Sequence, residues 1–276
     1  MVRVNPGRRG FTLVELLVVI GIIALLISIL MPALTKAKNQ ALMVKCANQE
    51  RQIYLACQMF GADNKGSLPR PGIGPGDQGP DAERVCMFTM PEWGIVDFTK
   101  GVMVQYMPGG PEARKDVWYC PGDLGEVTQG GGPAQSGLKR NFSYSFNAHI
   151  TQPESGLRKP GIKLSAARNP SRKILIYEEQ APNDLWCLLY DVGPVSGNGP
   201  NITGPLPFRG DDIPSARHAG QRYGLINRNT PYNSVDWRRY GPIGKGNFGF
   251  FDGHVEVLSP NDLYFNPKSF YIYLPE

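Results

Sequence analysis

The sequence predicts an α+β protein, with a long N-terminal helix packed on a small antiparallel β-sheet head that carries long loops. Three observations predict it. From Phe11 to Met31 the only ionisable side chain is Glu15, and helical periodicity continues after Pro32. From Gly61 onward lie 23 of the 25 prolines and nearly all of the glycines, a composition of short strands and loops rather than helices. Near the C-terminus, Asp252-Gly253 sits between alternating apolar residues, a β-hairpin signal. These features divide the chain into a basic leader at 1–10, an apolar span at 11–31, an amphipathic helix at 32–62 and a β-rich head at 63–276.

Phe11 to Leu30 forms about 30 Å of helix, the thickness of a bilayer core. Arg3, Arg8 and Arg9 precede it, and cationic residues stay on the cytoplasmic side of a span, which sends the head outward. A cleavable signal peptide has a shorter apolar core and a small-residue cleavage site after it, and neither is seen here. Beyond Pro32, which removes one intrahelical hydrogen bond, Leu42, Cys46, Ile53, Cys57 and Phe60 fall within about 40° of one line at 100° per residue. That stripe is expected to pack on the head, with Lys36, Lys38, Lys45, Glu50 and Arg51 on the polar surface. Gly61-Ala-Asp-Asn-Lys-Gly66 reads as the helix stop.

Strands are expected at Asp116–Cys120, Asn141–Phe146, Lys173–Tyr177 and Leu185–Tyr190, a short helix or strand within 94–107, and a hairpin over 247–258. Residues 66–82 and 193–216 read as irregular loops. In the hairpin, Phe248 and Phe250 share one strand face, as do Val255 and Val257.

The 276 residues carry a formal charge of +5, of which the three leader arginines supply three, leaving +2 for the rest. The basic balance therefore belongs to the leader and gives no nucleic-acid footprint. The five cysteines include no Cys-x-x-Cys pair, which argues against a zinc ribbon. Cys46 and Cys57 are expected to pack in the core. In an exported head, one disulfide among Cys86, Cys120 and Cys187 and buried thiols are equally open. No Gly-x-Ser-x-Gly elbow and no phosphate-binding loop is present. Trp93, Trp118, Trp186 and Trp237 read as packing residues before they read as ligand platforms.

Glu15 is the anomaly, because a carboxylate in a span costs roughly 2.5–3.5 kcal/mol on insertion scales. An anchor alone would carry leucine there. The string Arg-Arg-Gly-Phe-Thr-Leu-Val-Glu-Leu-Leu-Val-Val-Ile resembles the processing site of type IV prepilins and type II secretion pseudopilins. The resemblance implies cleavage by a prepilin peptidase after Gly10 and N-methylation of the new terminus at Phe11. It also implies an assembly role for Glu15, fifth after the cut, and for Pro32. Glu15 of an incoming subunit would pair with the Phe11 amine of a neighbour, and a register error would leave both charges unpaired.

A second resemblance lies in the head. Arg217-His218, then Phe-x-x-Asp252-Gly253-His254-Val, is similar to a prepilin-associated C-terminal module with a His-x9-Asp-Gly pattern. Thirty-three residues separate His218 from Asp252 here. Tyr119-Cys120-Pro121, Tyr144–Asn147 and Ile176-Tyr177-Glu178 resemble further pieces of it. His218, Asp252, His254, Glu178 and Glu179 are candidate metal ligands. Carboxylates and carbonyls would suit calcium, which major pseudopilins bind, and histidines with carboxylates would suit a transition metal. The plainer alternative gives Asp252 a turn role and His254 a cross-strand one.

The resemblances imply a non-enzymatic subunit in a bacterial inner membrane, single-pass, with its head in the periplasm or outside the cell. It would polymerise with like subunits, served by a platform protein and an assembly ATPase. A type II secretion pseudopilin is the leading expectation. A surface-displayed adhesion pilin and a membrane-tethered metalloenzyme are the rivals.

Overall fold

The computed structural model describes residues 12–70, 84, 86–92, 95–123, 141–147, 161–178, 188–189 and 245–258. Helix α1 runs over Leu13–Asp63 and passes through Pro32 without interruption. The chain divides into two compact units, the second beginning at Leu42. In the first unit every residue from Thr12 to Lys38 is exposed, including Leu17, Ile20, Leu26 and Leu30. It is the only helix among the described residues that is long and apolar enough to cross a membrane.

In the second unit, α1 buries Cys46, Ile53, Cys57 and Phe60, four of the five residues of the stripe, with Leu42 half-buried. The stripe also takes in Glu50, which is fully buried and corrects the expectation of a surface glutamate. Its position explains this: four residues after Cys46 and seven before Cys57, it lies on the same helix face. The helix stops as expected. Gly61 carbonyl accepts from the Asn64 and Gly66 amides at 3.1 and 2.7 Å, and Lys65 and Gly66 adopt left-handed backbone angles.

A two-stranded ribbon, β1 (Thr89–Glu92) with β2 (Ile95–Asp97), precedes short helix α2 (Met103–Tyr106) and α3 (Pro111–Trp118). Residues 94–107 thus supply both a strand and a helix. The strand expected at Asp116–Cys120 is instead the end of α3 and the turn after it. Pro111 and Glu112 open that helix, and Lys115 sits in its last turn, each the favoured residue type for its place. The Val-Trp-Tyr run that suggested a strand is apolar because Trp118 is core, with Phe88 set edge-on at 5.2 Å.

The main sheet has the order β5-β3-β4-β6-β7, with β3 Tyr144–Asn147, β4 Ile174–Glu178, β5 Leu188–Leu189, β6 Gly246–Phe250 and β7 Val255–Leu258. β3, β4, β6 and β7 each run antiparallel to the next, and β5 joins the edge parallel to β3. Tyr144 faces Glu178 across β3 and β4, and Tyr177 faces Phe248 across β4 and β6. One core cluster joins the α1 stripe to Trp118, Phe142, Tyr144, Phe146, Leu175, Ile176 and Phe251. A second holds Ile174, Tyr177, Phe248 and Phe250, with Tyr177 stacked on Phe248 at 6.2 Å.

Candidate functional site

At the N-terminal end of α1, Thr12 is the residue before the first helical turn and Glu15 closes that turn. The Glu15 amide donates to Thr12 Oγ1 at 3.2 Å. In return, the Thr12 amide and hydroxyl donate to Glu15 Oε2 at 2.9 and 2.8 Å. This reciprocal capping box satisfies two amides that have no partner within the helix. Glu15 thus has a local partner in addition to the intermolecular one expected for it. Its local role was legible from Thr-Leu-Val-Glu at capping-box spacing. Gly10 and Phe11 lie outside the described residues. Pro32 lacks an amide hydrogen, so the Ser28 carbonyl loses its helical donor, yet the helix continues through it.

In the head, the hairpin turn is a three-residue loop, Phe251-Asp252-Gly253. The Phe250 amide donates to the His254 carbonyl at 2.9 Å, and Gly253 takes a left-handed φ of 90°. Asp252 Oδ1 accepts from the His254 amide at 3.2 Å and lies 2.5 Å from its Nδ1, while Glu256 Oε1 lies 3.3 Å from Nε2. The His254 ring stacks on Phe250 at 4.3 Å. Asp252 therefore makes the turn, and His254 is held between two carboxylates at a half-exposed surface.

Glu178 is elsewhere. It ends β4 beside Asn247, whereas the hairpin loop meets the start of that strand, where the Phe251 amide donates to the Lys173 carbonyl at 3.0 Å. Five residues of strand, about 16 Å, separate the two ends. The structure thus brings Asp252 and His254 together and leaves Glu178 apart. His218 and Glu179 lie outside the described residues.

Glu178 is instead part of a buried polar cluster whose members lie far apart in sequence. One ligand-type atom each from Cys46, Cys120 and Glu178 lies within 4.8 Å of the other two, and all three residues are buried. Asn247 Nδ2 donates to Glu178 Oε1 and to the Met43 carbonyl, both at 3.2 Å. Tyr144 hydroxyl donates to Gln49 Oε1 at 2.8 Å, and Gln49 Nε2 donates to the Tyr119 carbonyl at 3.1 Å and to the Asp116 carbonyl, closing the end of α3. The Cys120 amide donates to Ser143 Oγ at 3.0 Å, and the Gly122 amide points at Cys120 Sγ at 3.4 Å. Glu50 lies beside this group, 0 % exposed, with neither carboxylate oxygen hydrogen-bonded.

Electrostatics follow from this burial. Desolvation first, then the neighbouring Glu178 and Cys120 charges, hold the Glu50 carboxyl well above the ordinary range. The hydrogen bond with Cys120, then burial, pushes the Cys46 thiol up. The four described cysteines, Cys46, Cys57, Cys86 and Cys120, are buried and in no disulfide, and Cys187 lies outside the described residues. Calcium needs six to eight oxygen ligands. The described candidates do not fit it, because Asp252 sits with an imidazole and Glu178 with two thiols.

Residues 5–31 match the prokaryotic N-terminal methylation motif. No curated protein and no solved structure matches the chain. The motif spans Arg8 and Arg9 of the leader, the Gly10–Phe11 junction, the capping box and the apolar run up to Met31. The chain carries a prepilin-type N-terminal domain on an α+β, pilin-like architecture.

Proposed function

We propose that the protein is a pseudopilin of a type II secretion or related apparatus, cut after Gly10, N-methylated on Phe11 and polymerised through α1. The observation that carries this is the methylation motif leading straight into a helix whose apolar side chains are all exposed from Leu13 to Leu34. Such a surface is stable in lipid or against other copies of itself, and not in water. Leaving the bilayer for a fibre core exchanges lipid contacts for helix packing.

Glu15 adds direction to that exchange. In the single subunit its carboxylate is already bonded to Thr12, so the acid is tolerated before assembly. A neighbour's N-terminal amine supplies a full positive charge, a stronger partner than two neutral donors. The prepilin peptidase, like subunits, a platform protein and an assembly ATPase are the partners this reading requires. The head would face the periplasm.

Mass spectrometry of the protein from cells that contain the peptidase tests the reading. The expected product lacks ten residues and begins with methylated phenylalanine. An intact Met1 terminus in those cells would refute it. Loss of secreted cargo on deletion, with no change in surface fibres, would favour secretion over adhesion.

A further inference from the structure

The buried cluster in the head has the chemistry of a metal centre. Two thiols and a carboxylate converge within 4.8 Å. Thiolate and carboxylate together select a borderline-soft divalent ion, with zinc bonds of about 2.3 Å to sulfur and 2.0–2.2 Å to oxygen. Donors around a tetrahedral ion of that size stand nearly 4 Å apart, so the spacing needs only a small contraction.

One further feature points to a cation, and it does not depend on the three donors. Glu50 is fully buried with both oxygens lacking any hydrogen bond, and a buried acid without a partner costs far more than one beside a cation. The Gly122 amide aims at Cys120 Sγ at 3.4 Å across the Cys-Pro-Gly turn, which fixes the position of that sulfur. Asn247 then orients Glu178 through its 3.2 Å bond to Oε1, as outer-shell groups orient metal ligands.

We propose that Cys46, Cys120 and Glu178 bind one zinc-class divalent ion, with Glu50 flanking it as the fourth acidic group. Binding forms two metal–sulfur bonds and one metal–oxygen bond. The Cys46 and Cys120 protons pass to solvent, and nothing is oxidised or reduced. The ion would tie α1 to the loop after α3 and to the end of β4. A disulfide between Cys46 and Cys120 is the competing use of the same sulfurs, but it leaves Glu50 without a partner.

The test uses the full chain, purified in detergent without chelator, and the probes are zinc and cobalt(II). Elemental analysis should find about one zinc per chain. Cobalt should give thiolate charge-transfer absorption in the near ultraviolet. Both signals should be lost in Cys46→Ser and Cys120→Ser. Asn247→Ala should weaken metal affinity about 10–100-fold, which a purely structural role for Asn247 would not do. Glu50→Gln keeps the shape and should weaken affinity in the same direction. Because the serine variants risk misfolding, alkylation of the wild-type protein serves as the second measurement. In denaturant mild enough to open the buried cluster, Cys46 and Cys120 should be protected with zinc and labelled faster after chelation. A Cys46–Cys120 disulfide in non-reduced peptides, or an absence of stoichiometric zinc and cobalt in the wild type, overturns the proposal.

Discussion

Replacing Gly253 by alanine should destabilise the head by about 3–6 kcal/mol, and the structure says where that energy comes from. Gly253 sits at φ 90°, and a Cβ there would lie 2.2 Å from Tyr54 Cε1 and 2.7 Å from Cδ1. Carbon contacts settle near 3.5–4.0 Å, so the ring must retreat by more than about 1 Å. Left-handed backbone costs an L-residue roughly 1–2 kcal/mol, and overpacking typically costs about 1–3 kcal/mol. Retreat also breaks the 2.9 Å bond from the Tyr54 hydroxyl to the Phe251 carbonyl, about 1 kcal/mol more. For a unit of this size the sum corresponds to a fall in Tm on the order of 10 °C. Thermal unfolding of the full chain in detergent, followed by tryptophan fluorescence, measures it. The same substitution made with Tyr54→Ala has no ring to strike, so it should cost only the roughly 1–2 kcal/mol of backbone strain. Equal costs in the two backgrounds would refute the close approach of hairpin and helix.

Glu15→Leu should leave membrane insertion intact and abolish assembly, read as loss of cross-linked oligomers. Thr12→Val should weaken the first turn of α1 by about 1 kcal/mol, measured as faster amide exchange at the first few helical residues. Burial holds the Tyr54 phenol above its ordinary value, so the folded state keeps that proton longer than the unfolded one. Stability should therefore fall as pH rises through and above about 10, and Tyr54→Phe should blunt that fall. Cys57, whose thiol burial drives well up, should resist alkylation at pH 8 until the head unfolds, with or without chelator. Removing zinc from protein held at a hundredfold excess over its dissociation constant should lower stability by about 2.7 kcal/mol, seen as a chelator-dependent Tm.

Much of the architecture was legible in local pattern. The α1 stripe follows a 3.6-residue period, and the hairpin follows from Asp252-Gly253, because both signals lie within a few residues of each other. The end of α3 reads as a strand because Val117, Trp118 and Tyr119 favour strands intrinsically, while Pro111 and the packing of Trp118 decide for helix. The metal-type cluster was least legible. Cys46, Cys120 and Glu178 are 74 and 58 residues apart along the chain, and only the pairing of β3 with β4 against α1 joins them. One clue was present: Glu50 shares the helical face of Cys46, Ile53 and Cys57, and charge alone led to its assignment to the surface.

The fastenings along α1 have a mechanical consequence. Asn247 holds the Met43 carbonyl, Tyr144 and the turn after α3 hold Gln49, and Tyr54 holds the hairpin loop. These bonds are spaced over three turns of one rigid rod. A pull along that rod loads them side by side, so they must yield together. A pull across it would open them one after another, at much lower tension. A load along the Met43–Tyr54 stretch would therefore be carried by all of these bonds at once, and the sheet would keep its grip on that part of the helix.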